Sequence, residues 1–146
     1  MLPASIPDVF LDTDVAFDII SKREPFFESS VNVLKLAAQH RVQLLISEIS
    51  IANLIYLTFD IYKLKDGKSR LIDFVQATGI VQSGKSCILR ALESSFKDKE
   101  DGLQYFTALQ ASADFFLTRN IRDYRKFAAT ELPVYTPEKF CEAFVS

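Results

Sequence analysis

Short apolar runs, each too brief to be a helix, punctuate this chain: Val9-Phe10-Leu11, Gln43-Leu44-Leu45-Ile46, Ile80-Val81 and Asp114-Phe115-Phe116-Leu117. Between them apolar residues recur at three- and four-residue spacing, the mark of helices that bury one face. This alternation restricts the chain to a covered parallel sheet, because parallel neighbours are joined only by crossovers long enough to hold a helix. The segment Asp114 to Thr118 is continuously apolar at its centre, as in a strand buried on both sides. The expected fold is a three-layer α/β/α sandwich around a central, mostly parallel sheet of four to five strands, with residues 1–146 forming one domain.

The helices follow from the same pattern. Val15, Phe17, Ile19 and Ile20 predict a short first helix, and Ser29 or Ser30 is placed to cap a longer one running to about His40. Ser47 and Glu48 open a helix carrying Ile51, Leu54, Ile55, Phe59 and Tyr62 on one face. Lys65-Asp66-Gly67-Lys68 breaks the pattern before a helix from Ser69 to Ala77, with Gly79 as its left-handed stop. Ser83 or Ser86 caps a helix with Ile88, Ala91, Leu92 and Phe96, and Asp101 opens the helix of Tyr105, Phe106 and Leu109. A short helix from Ile121 to Phe127, an edge strand at Val134-Tyr135 and a helix from Pro137 to Phe144 complete the chain, with Pro137 at a first helical position.

Composition limits the function. The chain is 49% hydrophobic with 13 Phe in 146 residues, enough apolar surface for a sizeable core. A net charge of −2 argues against a generally basic nucleic-acid binder and leaves room only for a local basic rim. Cys87 and Cys141 lie in apolar helical patterns without a Cys or His at ligand spacing, so both are expected as buried thiols in a reducing compartment. Met1-Leu2-Pro3-Ala4-Ser5 is not a basic segment leading into an apolar core, and no apolar run reaches the ~20 residues of a membrane span, so a cytoplasmic protein is expected.

The acidic residues carry the functional argument. Asp12, Glu48 and Asp123 closely follow apolar runs, and Asp101 begins the helix leading into the last core strand. In an open parallel sheet the carboxyl ends of the strands share one edge, where ligands bind. Converging carboxylates suit a hard divalent cation such as Mg²⁺ or Mn²⁺, and the single His40 suits that chemistry better than zinc chemistry. For any single residue the competing reading is a helix cap stabilised by the dipole.

Several stretches together resemble the PIN-domain family of metal-dependent ribonucleases, which includes the VapC-type toxins. They are Phe10-Leu11-Asp12-Thr13-Asp14, Ser47-Glu48-Ile49-Ser50, Asp98-Lys99-Glu100-Asp101-Gly102-Leu103-Gln104-Tyr105, and Ala113 through Tyr124 with Thr118-Arg119-Asn120-Ile121-Arg122-Asp123. The resemblance extends from about Val9 to Phe144 and implies that Asp12, Glu48 and Asp101 are core metal-binding acids. Asp123 and Asn120 compete for the fourth place, while Asp14, Asp98, Glu100 and Thr118 stand beside the core acids as supporting groups. Asp14 stands where Asn is frequent in the family, and Gly102 where Ala is frequent.

The implied activity is hydrolysis of RNA phosphodiesters, with Arg119 and Arg122 for phosphates and Tyr124 for base stacking. Lys85, Arg90, Lys97, Lys99 and Lys126 are the other cations expected near the acidic edge. Likeness to VapC-type proteins also implies a homodimer and a separately encoded antitoxin, and the apolar surplus of Tyr56, Leu57 and Phe59 would serve such a partner or the core. The alternatives are a degenerate, non-catalytic interaction module and a nucleotide-binding protein. The latter rests on Gly79-Ile80-Val81-Gln82-Ser83-Gly84-Lys85-Ser86, which satisfies the phosphate-loop pattern but has its strand candidate inside the would-be loop.

Overall fold

A computed structural model describes residues 5–145; the expectation about a leader rests on Met1 to Ala4, which lie outside that range, and on Ser5. Strands β1 (Asp8–Leu11), β2 (Gln43–Ser47), β3 (Gly79–Val81), β4 (Phe115–Leu117) and β5 (Val134–Tyr135) form one sheet in the order β3-β2-β1-β4-β5. Every neighbouring pair is parallel, with Phe10 opposite both Leu45 and Phe116 in register. Side chains alternate across the pleat, so Val9, Leu11, Leu44 and Ile46 enter one apolar core and Phe10, Leu45 and Phe116 the other. The first core is covered by helices α1 (Thr13–Ser21), α2 (Phe27–Ala38), α3 (Glu48–Tyr56), α4 (Gly67–Gln76) and α8 (Pro137–Val145). Helices α6 (Lys99–Gln110) and α7 (Ile121–Arg125) close the second, and α5 (Gly84–Glu93) packs against α6. This is the expected α/β/α sandwich, with all five strands parallel. Among the described residues no helix is long and apolar enough to cross a membrane.

Local chemistry corrects several expected boundaries. Neither Ser29 nor Ser30 caps α2: the helix begins at Phe27 without a side-chain cap, and Ser30 is buried within it. The helix from Glu48 stops at Tyr56 and widens into a π-helical turn, Leu57–Ile61, before Tyr62. The next helix begins at Gly67, where a Cβ would lie 2.6 Å from Thr58 Cγ2, so a bare backbone permits the close approach. Gly79 is no left-handed stop but the first residue of β3, with the helix capped at Ala77; its added Cβ would meet Leu45 Cδ2 at 2.9 Å. Ser83 precedes α5 without capping it, because its hydroxyl pairs with Thr107 Oγ1 at 2.7 Å.

Phe96 lies beyond the end of α5 and fills the core by itself, whereas Ile88 and Leu92 face outward. The phosphate-loop pattern has no loop to work with, since Gly79 to Val81 is held in register against Leu45 to Ser47 as a strand. The thiols divide: Cys87 is buried and Cys141 only partly so, and neither forms a disulfide.

Candidate metal centre

Asp12 is the residue at which β1 becomes α1. Its Oδ1 accepts the Thr13 N–H at 2.9 Å, capping the helix, and its own N–H continues the ladder to Leu117 O at 2.9 Å. Oδ2 accepts the Thr118 hydroxyl at 2.9 Å and lies 3.1 Å from the Tyr124 hydroxyl. Asp101 reaches the same phenol from the first turn of α6, its Oδ1 also 3.1 Å away. That turn is fixed by Asp98, whose Oδ1 accepts the N–H groups of Glu100 and Asp101 at 2.9 and 3.1 Å. The strand end and the helix start thus deliver two carboxylates to one hydroxyl.

The hydroxyl cannot satisfy both ionised acids. A phenol carries one proton, and an ionised carboxylate only accepts, so simultaneous hydrogen bonds to Asp12 and Asp101 require a second proton on one of the carboxyls. The electrostatics agree. Burial and then the neighbouring Asp14 charge push Asp12 up to about 7, while burial and then Asp98 push Asp101 up to about 6. Burial and both carboxylates raise Tyr124 above its ordinary value, which keeps it a donor.

A chain of neutral side chains holds the surrounding elements. Thr13 Oγ1 meets Ser50 Oγ at 2.7 Å, Ser50 Oγ accepts Gln104 Nε2 at 2.7 Å, and Gln104 Oε1 accepts the Ser47 hydroxyl at 2.9 Å. Ser47 Oγ in turn accepts the Ser50 N–H and so caps α3. Asn53 Nδ2 donates to Glu100 Oε1 at 3.0 Å, further joining α3 to α6. The side of α3 that turns inward is therefore that of Ser50, Asn53 and the buried Leu54. Glu48 lies roughly 160° around the helix from Ser50 at 100° per residue; it is exposed and does not line the cleft.

The cleft is lined by Asp12, Asp14, Asp98, Glu100 and Asp101, with Asn120 at its border, and has a volume of about 360 Å³. Asp123 is exposed on α7 and faces an adjoining cleft shared with Asp98, Asp101, Arg122, Lys97 and Lys126. Arg119 does not extend toward solvent as an RNA-binding arm. Its Nε lies 2.8 Å from Asp18 Oδ2, its backbone N–H donates to Asp14 Oδ2 at 3.2 Å, and its guanidinium covers Phe26 at 4.2 Å. Burial raises Asp18 to about 6 against the pull of that cation. Tyr124 is fully buried, so no base can stack on it. Its actual place between the acids depends on contacts 112 and 23 residues away in the chain, which local sequence does not reveal. Gln104, by contrast, had a local signal: it lies three residues after Asp101, on the same side of α6.

The donor set suits a hard cation. It offers only oxygens and neutral amides, and the buried Asp14 Oδ1 has no hydrogen-bond partner. Among the described residues no three His, Cys, Asp or Glu groups close a coordination sphere by themselves. That arrangement fits an ion which keeps several waters and binds through one or two carboxylates and substrate oxygens.

Comparison with known proteins bears on the family and the fold. A family model described as PIN domain matches residues 8–122. Ribonuclease VapC1 of Aquifex aeolicus (strain VF5) is 30% identical over 139 residues, covering 92% of this chain and 93% of that protein. Among solved structures, the crystal structure of VapBC2 from Rickettsia felis bound to a DNA fragment from their promoter matches with a TM-score of 0.66. It covers 88% of this chain and 98% of that one at 22% identity, a likeness of fold.

Proposed function

The chain belongs to the PIN-domain family, and from that premise we propose that it is a divalent-metal-dependent endoribonuclease, the toxin of a type II toxin–antitoxin pair. The observation that carries the proposal is the meeting of Asp12 and Asp101 on Tyr124 in an open acidic cleft at the carboxyl edge of the sheet. Asp12 and Asp101 are the residues that would hold Mg²⁺ or Mn²⁺, with Asp14 and Asn120 beside them and Asp123 reaching Asp101 from the adjoining cleft. Glu48, on the outer side of α3, has no part in that set as the side chains stand. A divalent cation held there would supply Lewis acidity, the chemistry needed to acidify a water and to offset charge on the phosphate.

The protein's own groups then fix the geometry. Thr118 and the Thr13 amide hold Asp12, Tyr124 keeps Asp101 beside it, and the Ser47-Ser50-Gln104 chain prevents α3 and α6 from separating. Water is added across a phosphorus–oxygen bond of RNA, and the broken bond leaves one phosphate terminus and one hydroxyl terminus. The test is hydrolysis of total cellular RNA with and without Mn²⁺ by the wild type and Asp101→Asn; equal cleavage by the two proteins would place the activity elsewhere.

A partner surface accompanies the cleft. Ile51, Ile55, Phe59, Leu71, Ile72 and Val75 line an apolar groove of about 460 Å³ between α3, its π-helical extension and α4. Ile55, Phe59 and Ile72 are 46, 42 and 46% exposed, while Leu71, Ile51, Val75 and the neighbouring Leu57 pack in or against the core, so an exposed apolar strip lies over a packed base. It supports an antitoxin, and a homodimer, as the partners of this chain. Light scattering after size-exclusion chromatography tests the dimer, which a concentration-independent monomer would exclude.

A further inference from the structure

Two arginines border the acidic cleft, and only one is spent. Arg119 is committed to Asp18 and Asp14. Arg23, in the turn between α1 and α2, is held by rings: its guanidinium lies 5.1 Å from the Phe17 centroid and 5.4 Å from that of Tyr62. One N–H donates to the Tyr62 hydroxyl at 2.9 Å. A guanidinium carries five such donors, and among the described residues Arg23 has no carboxylate within 4.0 Å. Its charge acts on the buried Asp18, yet it forms no ion pair with an acid of the cleft, so the donors beyond the one on Tyr62 can meet an incoming anion.

Tyr62 has the complementary property. Phe17 beneath it is buried, yet Tyr62 is 50% exposed at the wall of the cleft. It is placed there by the π-helical turn, which ends with the Tyr62 N–H donating to Leu57 O; such widened turns re-aim side chains and recur at functional sites.

We infer that Arg23 and Tyr62 form a nucleotide subsite beside the carboxylate centre. One unpaired base of single-stranded RNA stacks on the exposed surface of Tyr62, and the adjoining phosphate takes the free N–H groups of Arg23. The subsite rests on the nuclease reading of the cleft and assigns it a single-stranded substrate, because a base held in a duplex stack cannot reach the ring. The adjoining cleft carries Lys97, Arg122 and Lys126 together with Asp98, Asp101 and Asp123, so the unpaired cation at the main cleft is Arg23.

The test measures cleavage kinetics in Mn²⁺ on a short single-stranded RNA and on copies carrying one abasic nucleotide, moved stepwise across the cleaved bond. Tyr62→Ala is expected to raise KM about tenfold with kcat within about twofold, while Tyr62→Phe keeps a KM close to that of the wild type. Arg23→Ala should raise KM and reduce the salt dependence of binding by about one phosphate contact. At one abasic position wild type and Tyr62→Ala should become equal, a result that a folding defect cannot imitate. If wild-type protein cleaves the RNA but no abasic position changes its KM and Tyr62→Ala matches it on every substrate, the subsite is refuted. A wild type that neither binds nor cleaves RNA overturns the nuclease reading itself, and the subsite with it.

Discussion

Tyr124 is the residue on which the centre turns. Its hydroxyl is hydrogen-bonded to both Asp12 and Asp101, and its ring is locked at 4.6 Å from the Phe116 centroid, with Phe96 and Tyr105 also against it. Tyr124→Phe keeps that packing and removes the donor. In metal-free protein the variant should lose about 1–3 kcal/mol of stability, read from denaturant midpoints, because the buried Asp12 and the half-buried Asp101 lose their shared hydrogen-bond partner. Added Mn²⁺ should recover part of the loss. A variant as stable as wild type without metal would mean that the hydroxyl does not hold the acids.

The raised acids also set a pH dependence. Asp12 and Asp101 ionise near their ordinary 3.8 in the unfolded chain but at about 7 and about 6 when folded. The folded state therefore prefers their protonated forms, and this stabilisation is complete below about pH 4 and lost as pH rises through about 6 to 7. Without divalent ions the melting temperature should fall between about pH 4 and 7, and Asp12→Asn should flatten the decline. A melting temperature that rises over that interval in the metal-free wild type contradicts the assignment.

At the scale of elements, the centre is where the starts of α1, α3 and α6 converge, each capped by a short polar side chain from Asp12, Ser47 or Asp98. Gln104 crosses from α6 to the serines of α3, buried at 3% exposure. Gln104→Ala should cost about 1–3 kcal/mol by removing the two buried hydrogen bonds that tie α6 to Ser47 and Ser50, and it should reduce RNA cleavage by letting Asp101 drift from Asp12. Thermal unfolding and activity measured together check this, and a stable but inactive variant would assign Gln104 to substrate contact instead.

Element starts were legible in the sequence for a physical reason. Asp12 and Asp101 stand where an apolar run or a polar turn meets helical spacing, and capping preferences make such junctions readable. Glu48 met the same criterion and still points away, because a strand-end position says nothing about which side of the following helix a residue occupies. The π-helical turn left no mark in the spacing of Phe59 and Tyr62, so the change of direction that places Tyr62 on the cleft was hidden. The commitment of Arg119 to Asp18 was equally hidden, since it depends on packing between β4 and α1.

Over the whole molecule, a net charge of −2 conceals an uneven distribution: carboxylates gather in one cleft, while in the adjoining one Lys97, Arg122 and Lys126 stand among Asp98, Asp101 and Asp123. The alternation of runs along the chain was enough to anticipate the layers and the parallel sheet, since crossovers leave few other ways to bury both sides of such strands. The acidic centre carries an electrostatic cost that a divalent cation relieves, so Mg²⁺ or Mn²⁺ should raise the melting temperature by mass action on the folded state. The most direct measurement combines that shift with catalysis: melting temperature and RNA hydrolysis are followed as Mn²⁺ is titrated into the wild type, Asp12→Asn and Asp101→Asn. The wild type should gain stability and activity over the same concentration range, and both substitutions should abolish the two responses together. Wild-type shift and cleavage retained in either variant would contradict this.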